Sequence, residues 1–141
     1  MEMLPDQPLP VPSSLTRPFW DECRQHRLSL QRCVDCTRFR FYPTAACPHC
    51  SSPDSRWEAI SGRGTVYSWI VVDRTHDPYW RTRVPYICSI IELDEQKALF
   101  MPGLLIDLDP SDVRAGMAVE VVFEDVTPAI SLPRWKASGG G

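Results

Sequence analysis

Four cysteines carry the most specific chemical signal in the chain. Cys33-Val34-Asp35-Cys36 and Cys47-Pro48-His49-Cys50 are two C-x2-C pairs separated by ten residues. Two cysteines spaced this way on a tight turn present both thiolates to one face of a metal ion, and two such turns complete a tetrahedron. A site closed by four thiolates has no open position for water or substrate. The role it predicts is therefore structural, holding together a module that does not fold without metal. Zinc is the expected ion, although tetrathiolate spacing alone does not separate zinc from iron. His49 lies between two ligands, but four thiolates already fill the coordination sphere. Cys23 and Cys88 fall outside the pattern and are read as small buried apolar residues without a redox role.

No catalytic motif accompanies the cysteines. The sequence has no G-x-x-x-x-G-K-[ST], no G-x-S-x-G, no H-E-x-x-H and no G-x-G-x-x-G opening a helix. Asp73, His76 and Asp77 share one predicted loop with no nucleophile near them and are read as solvated. That loop, residues 73–85 (DRTHDPYWRTRVP), sets Tyr79 and Trp80 among charged residues. Aromatics flanked by arginine are typical of protein contact surfaces, which makes this pair a candidate partner interface; the alternative is that both rings fold back onto the domain. Trp135, beside Pro133 and Arg134, is expected to cap the barrel described next.

Two structural units must position these residues. Residues 1–16 are proline-rich and predict an extended or disordered arm. Thr16, Pro18, Phe19 and Cys23 predict a short helix from Pro18 to about Ser29. Leu30 to Trp57, with the four cysteines and β-prone Arg38 to Tyr42, reads as a knuckled module with too few aliphatics for its own core. Beyond Gly62-Arg63-Gly64 the composition turns β-branched and aromatic. Strands are predicted at Thr65 to Asp73, Pro85 to Leu93, Ala98 to Asp107 with an interruption at Pro102-Gly103, Met117 to Asp125, and Ala129 to Trp135. Five short strands fit a small antiparallel barrel, with one helical turn expected between Asp107 and Gly116. The fold class is thus mainly β, with a helix and ribbon over 17–60, a five-stranded barrel over 61–136, and a disordered tail over 137–141.

Composition bounds the setting. The chain has 141 residues, 43% hydrophobic and 23% charged, with a formal net charge of -3. No apolar run approaches the roughly 20 residues of a membrane-spanning helix, and Met1 to Pro12 lacks the basic and apolar regions of a signal peptide, so a cytoplasmic location is expected. A reducing compartment favours metal ligation over disulfides for the six cysteines. Residues 17–63 hold eight Arg against five Asp+Glu, whereas 64–141 hold seven Lys+Arg against eleven Asp+Glu. The cations of the ribbon half are all arginine, the side chain that forks onto phosphate oxygens.

Read in order, these pieces resemble one known family. Pro18-Phe19-Trp20, Leu30-Gln31-Arg32-Cys33-x2-Cys36, Phe41-x-Pro43, Cys47-Pro48-x-Cys50, Gly62 to Ser68, Pro85-Tyr86, Ile91 to Asp94, Gly116-Met117-x-Val119 and Leu132-Pro133 are similar to the acyl-CoA-associated family. Its members join an N-terminal rubredoxin-like zinc ribbon to a C-terminal OB-fold. One departure is Thr37, where the family usually has glycine. The resemblance implies a non-catalytic accessory subunit of a thiolase-superfamily enzyme, a thiolase or retro-aldolase, acting on acyl-CoA in a heteromeric complex, with steroid side-chain degradation as one setting. A partner role with a MaoC-type enoyl-CoA hydratase is the alternative within the family. Coenzyme A carries a pyrophosphate and a 3'-phosphate, which makes Arg32, Arg38, Arg40 and Arg63 candidate phosphate contacts. A single-stranded nucleic-acid-binding module is the alternative from another class, since ribbons and OB-folds also do that work, but the acidic barrel half opposes it.

Overall fold

The structure, a computed structural model, describes residues 7–139. Residues 1–6 of the expected arm and 140–141 of the expected tail lie outside that range. Gln7 to Pro12 carries no helix or strand.

Helix α1 (Arg17–Arg24) has Pro18 in its first turn and buries Phe19 and Cys23, four residues apart on one face. It ends five residues before the expected Ser29. His26 adopts φ 59°, its N–H bonds the Cys23 carbonyl at 2.9 Å, and the Arg27 N–H reaches back to Glu22 at 3.0 Å. This is a Schellman stop with histidine in the position that glycine usually takes. The chain is thereby turned straight into β1 (Ser29–Cys33), the centre of a three-stranded antiparallel sheet with β2 (Phe39–Arg40) and β3 (Ser55–Ala59). The sequence reading missed β3, whose Ser-Arg-Trp-Glu-Ala holds no β-branched residue. Its five rungs against β1, from Ser29↔Ala59 to Cys33↔Ser55, make it a strand through its partner.

The second unit contains β4 (Arg63–Val72), the short helix α2 (Pro78–Arg81), β5 (Tyr86–Leu93), β6 (Phe100–Leu105), β7 (Ala118–Thr127) and β8 (Ile130–Ala137). The strands close into a barrel in the order β4-β5-β6-β8-β7. The barrel is not wholly antiparallel as expected: β6 and β8 run parallel and meet at one rung, Leu105↔Trp135. Nor does Pro102-Gly103 interrupt β6. Because β6 pairs with β8 only at Leu105, the backbone of residues 100–104 has an open edge on that side, where proline's missing N–H costs no ladder bond. The helical turn expected between Asp107 and Gly116 is a single 3-10 turn at Pro110–Asp112. Ala137 ends β8 rather than opening a disordered tail.

One apolar core runs through both units. Phe19, Cys23, Leu28, Leu30 and Phe39 from the first unit are continuous with Val66, Ile91, Met101, Val119 and Trp135 from the barrel. Trp135, expected as a cap, is 0% exposed and fills the barrel interior. Two polar clasps reinforce this joint. The Gln96 side chain accepts from Phe39 N–H at 2.8 Å and donates to Phe39 C=O at 3.1 Å, so the β5–β6 turn holds the edge of β2. His26 sits 2.8 Å from Asp125 on β7 and stacks on Phe123 at an interplanar angle of 6°.

Candidate metal centre

The four sequence-predicted ligands converge. Cys33 ends β1, and the turn after it brings the Thr37 N–H to Cys33 C=O at 3.1 Å and the Cys36 N–H to Cys33 Sγ at 3.4 Å. The second turn repeats the design: the Ser51 N–H reaches Cys47 C=O at 2.8 Å and the His49 N–H reaches Cys47 Sγ at 3.4 Å. Both turns close through a residue with positive φ, Thr37 at 66° and Ser51 at 68°. A hydrogen bond from Ser52 Oγ to Asp35 ties one knuckle to the other.

All four sulfur atoms lie within 4.8 Å of one another. The Cys33–Cys50 and Cys36–Cys47 separations are 3.5 and 3.6 Å, far beyond an S–S bond of about 2.05 Å. Four thiolates about 2.3 Å from one zinc ion stand roughly 3.8 Å apart, so the arrangement fits that ion. Protonation makes the same demand. The N–H of Cys36 leads in drawing the Cys33 thiol down to about 6. The Ser52 N–H favours a thiolate at Cys50, yet Cys33, burial, Cys36 and Cys47 outweigh it and push Cys50 up to about 12. Four sulfurs this close ionise together only around a cation. When bound, the ion supplies no reactive position; it fixes the C-terminal end of β1, the turn after it and the β2–β3 connection.

Other sequence-predicted residues separate into different environments. His49 is exposed and faces Arg38, with its Nδ1 3.3 Å from Arg38 Nη1, away from the sulfurs. Cys23 is fully buried, and burial pushes its thiol up to about 12. Cys88 is only half-buried, on the outer face of β5, which corrects the expectation of full burial. Arg32 is held by Glu58 at 2.8 Å and by Thr37 C=O at 2.7 Å, with its guanidinium 4.7 Å from the centre of the Phe39 ring. Arg40 is 4% exposed and donates to Gln31 Oε1 and Thr44 C=O, so it braces the β2–β3 connection and offers no surface to a phosphate. Arg38 and Arg63 are exposed, the first on the ribbon and the second at the start of β4. Tyr79 and Trp80 are half-buried: the Tyr79 hydroxyl donates to Gln7 at 3.1 Å, and Trp80 packs 5.0 Å from Tyr86. Asp77 caps α2 by accepting from the N–H groups of Tyr79 and Trp80. The signal for that cap, Asp before Pro at the head of a short helix, was present in the sequence.

Paired cysteine knuckles joined to a closed five-stranded barrel define a zinc-ribbon and OB-fold protein. Residues 20–56 match the ChsH2 rubredoxin-like zinc ribbon domain, and residues 57–124 match the ChsH2 C-terminal OB-fold domain. The chain belongs to the family that these two domains define. It is 36% identical over 118 residues to a probable enoyl-CoA hydratase alpha subunit of Thermomonospora curvata, covering 82% of this chain and 35% of that protein. It is 35% identical over 127 residues to the 3-oxo-4,17-pregnadiene-20-carboxyl-CoA hydratase alpha subunit of Mycobacterium tuberculosis, covering 90% and 39%. The chain therefore spans little more than a third of either relative. A DUF35 domain-containing scaffold protein of Methanocaldococcus jannaschii is 34% identical over 96 residues, covering 67% and 66%. Among solved structures, a chain of the Ltp2-ChsH2(DUF35) aldolase aligns with TM-score 0.81 and 29% identity, covering 92% of this chain and 98% of that one.

Proposed function

We propose that this chain is a non-catalytic accessory subunit of a thiolase-superfamily enzyme, a thiolase or retro-aldolase, that acts on acyl-CoA in a cytoplasmic heteromeric complex. One observation supports the reading most: the structural likeness to a chain of the Ltp2-ChsH2(DUF35) aldolase takes in ribbon and barrel together and extends over 98% of that chain. The metal centre supports it, because four thiolates leave no position at which a thioester is activated. Among the described residues, no helix is long and apolar enough to cross a membrane. Steroid side-chain degradation is the setting favoured by the pregnadiene-carboxyl-CoA named for the mycobacterial relative.

In this role the chain orients and the partner makes and breaks bonds. Of the four candidate arginines, Arg38 and Arg63 are the ones exposed to meet the phosphates of coenzyme A, with Arg32 in reserve behind its Glu58 pair. Holding the nucleotide end while the acyl end reacts elsewhere lowers the entropic cost of alignment. The test is affinity isolation from the native host, identification of the partner, and reconstitution of the pair from pure proteins. A stoichiometric thiolase-superfamily partner is the expected result. In the pair, Arg38→Ala and Arg63→Ala are expected to raise KM for acyl-CoA with kcat little changed; an unchanged KM removes the phosphate role.

A second reading is favoured by the names of the two hydratase alpha subunits: the chain serves a MaoC-type enoyl-CoA hydratase. The products separate the two. Hydration yields a hydroxyacyl-CoA of unchanged carbon number, whereas thiolysis or retro-aldol cleavage shortens the acyl chain.

A further inference from the structure

Strand β4 changes character along its length. Residues 63–65 are flanked on both sides, by β5 and by β7, and Val66 completes the second ladder through Met117 and Gly116. From Tyr67 onward β7 has diverged to pair with β8. Among the described residues, the edge of 67–72 opposite β5 has no backbone partner. Side-chain exposure agrees, with Ile70 63% and Val71 43% exposed. Adjacent residues of a strand point to opposite faces, so both faces are partly open here, although Trp69 still packs against the core.

Proteins ordinarily blunt such an edge with lysine, proline or an inward charge. A break in register at Tyr67 marks where the edge begins; beyond it Ser68-Trp69-Ile70-Val71-Val72 has none of these, and four of its five residues are aromatic or β-branched. Its outward face is apolar across three strands: Ile70 lies beside Cys88 and then Leu104, and Ser68 beside Ile90 and then Pro102. A groove of about 450 Å³ runs over these residues. At the tip of the hairpin stand Arg74, Arg81 and Arg83, none of which is in an ion pair among the described residues. Asp77 is occupied in capping α2.

These features specify the occupant. Unpaired N–H and C=O groups along an edge are satisfied best by another backbone, and an uncharged apolar strand suits the groove beside it; arginines outside any ion pair, although Arg81 and Arg83 also hydrogen-bond within the loop, favour carboxylates. A second copy fits poorly. Antiparallel self-pairing centred between Trp69 and Ile70 sets Arg74 of one copy opposite Thr65 of the other and Arg63 opposite His76, which supplies no carboxylate opposite either arginine. We infer that the catalytic partner docks by adding an extended, uncharged, apolar segment to the free edge of β4, with acidic residues against Arg74, Arg81 and Arg83. This rests on the accessory-subunit reading and names the surface that reading requires.

The experiment uses the reconstituted pair. Ile70→Lys and Val71→Lys, at exposed positions, are expected to leave the melting temperature of the zinc-loaded chain unchanged and to weaken partner binding by about 30-fold or more, the scale of an interface hot spot. Ala129→Lys, on the exposed β7–β8 turn, is expected to bind as the wild type does. Hydrogen exchange is expected to show the amides of 67–72 that point away from β5 fast in the free chain and protected in the complex, while those bonded to β5 are protected in both. If the pair forms but both lysine variants bind normally and 67–72 gain no protection, the docking surface is wrong while the accessory role stands. If the wild type binds no partner at all, the accessory reading fails and this inference with it. An isolated chain that dimerises and is made monomeric by Ile70→Lys assigns the edge to a second copy and overturns the proposal.

Discussion

Replacing Gly103 by alanine is expected to loosen the barrel where it closes. A Cβ at this position falls 2.5 Å from Cδ1 and 2.8 Å from Nε1 of Trp135. Non-bonded carbon atoms rest about 3.5–4.0 Å apart, so the new methyl intrudes by about 1 Å. The ring has nowhere to go. It is fully buried, and Trp135 is also the residue of β8 that pairs with β6. Overpacking of this kind costs about 1–3 kcal/mol, which for a chain of this size lowers the melting temperature by roughly 3–12 °C. Calorimetry of the zinc-loaded protein reads the shift, and Trp135→Phe supplies the control. Phenylalanine lacks the pyrrole edge that meets Gly103, and it removes an Nε1–H that is buried without an acceptor. In the double variant, alanine at 103 is therefore expected to cost at least 1 kcal/mol less than it does alone. Equal costs in both backgrounds would refute the steric argument.

Three further outcomes follow from the same geometry. Removing the metal with a strong chelator is expected to release one ion per chain and to abolish amide protection in β1, β2 and β3 while β4 and β5 stay protected; exchange read by mass spectrometry checks this. Thr37→Gly relieves a β-branched residue held at φ 66° and is expected to slow metal release several-fold, in line with about 1 kcal/mol of strain, as a chromogenic chelator reports. The Asp125 carboxyl is held below its ordinary 3.8 by the Ser131 hydroxyl and then by His26. A depressed carboxylate stabilises the fold above its unfolded-state pKa, and that contribution is lost as pH falls through the folded value. Urea melts of wild type and Asp125→Asn are accordingly expected to differ near neutral pH and to converge below about pH 3.8.

The metal centre was legible because its evidence is local: thiolate chemistry and a two-residue spacing are written in consecutive letters. The barrel strands were legible for a similar reason, since β-branched runs mark them directly. What escaped the sequence depends on partners distant along the chain. Strand β3 exists because β1 aligns it. Pro102 stays in β6 because β8 leaves that edge open. Arg40 looked like a surface cation until Gln31 and Thr44 enclosed it, and Trp135 looked like a lid although Gly103, 32 positions earlier, had left room for its ring inside. The Gln96 clasp on Phe39 spans 57 positions, and no local signal announces it. The free edge of β4 is the extreme case: every residue in it reads as ordinary strand, and only the divergence of β7 exposes it.

The most direct test of the account is a turnover assay on an acyl-CoA with three samples: the zinc-loaded chain alone, the isolated partner, and the reconstituted pair. A closed four-thiolate centre on an orienting subunit predicts no product from the chain alone, product from the pair, and loss of the pair's activity when the metal is stripped from the ribbon. Thioester turnover by the zinc-loaded chain unaided, or a pair that keeps full activity after complete metal removal, would contradict it.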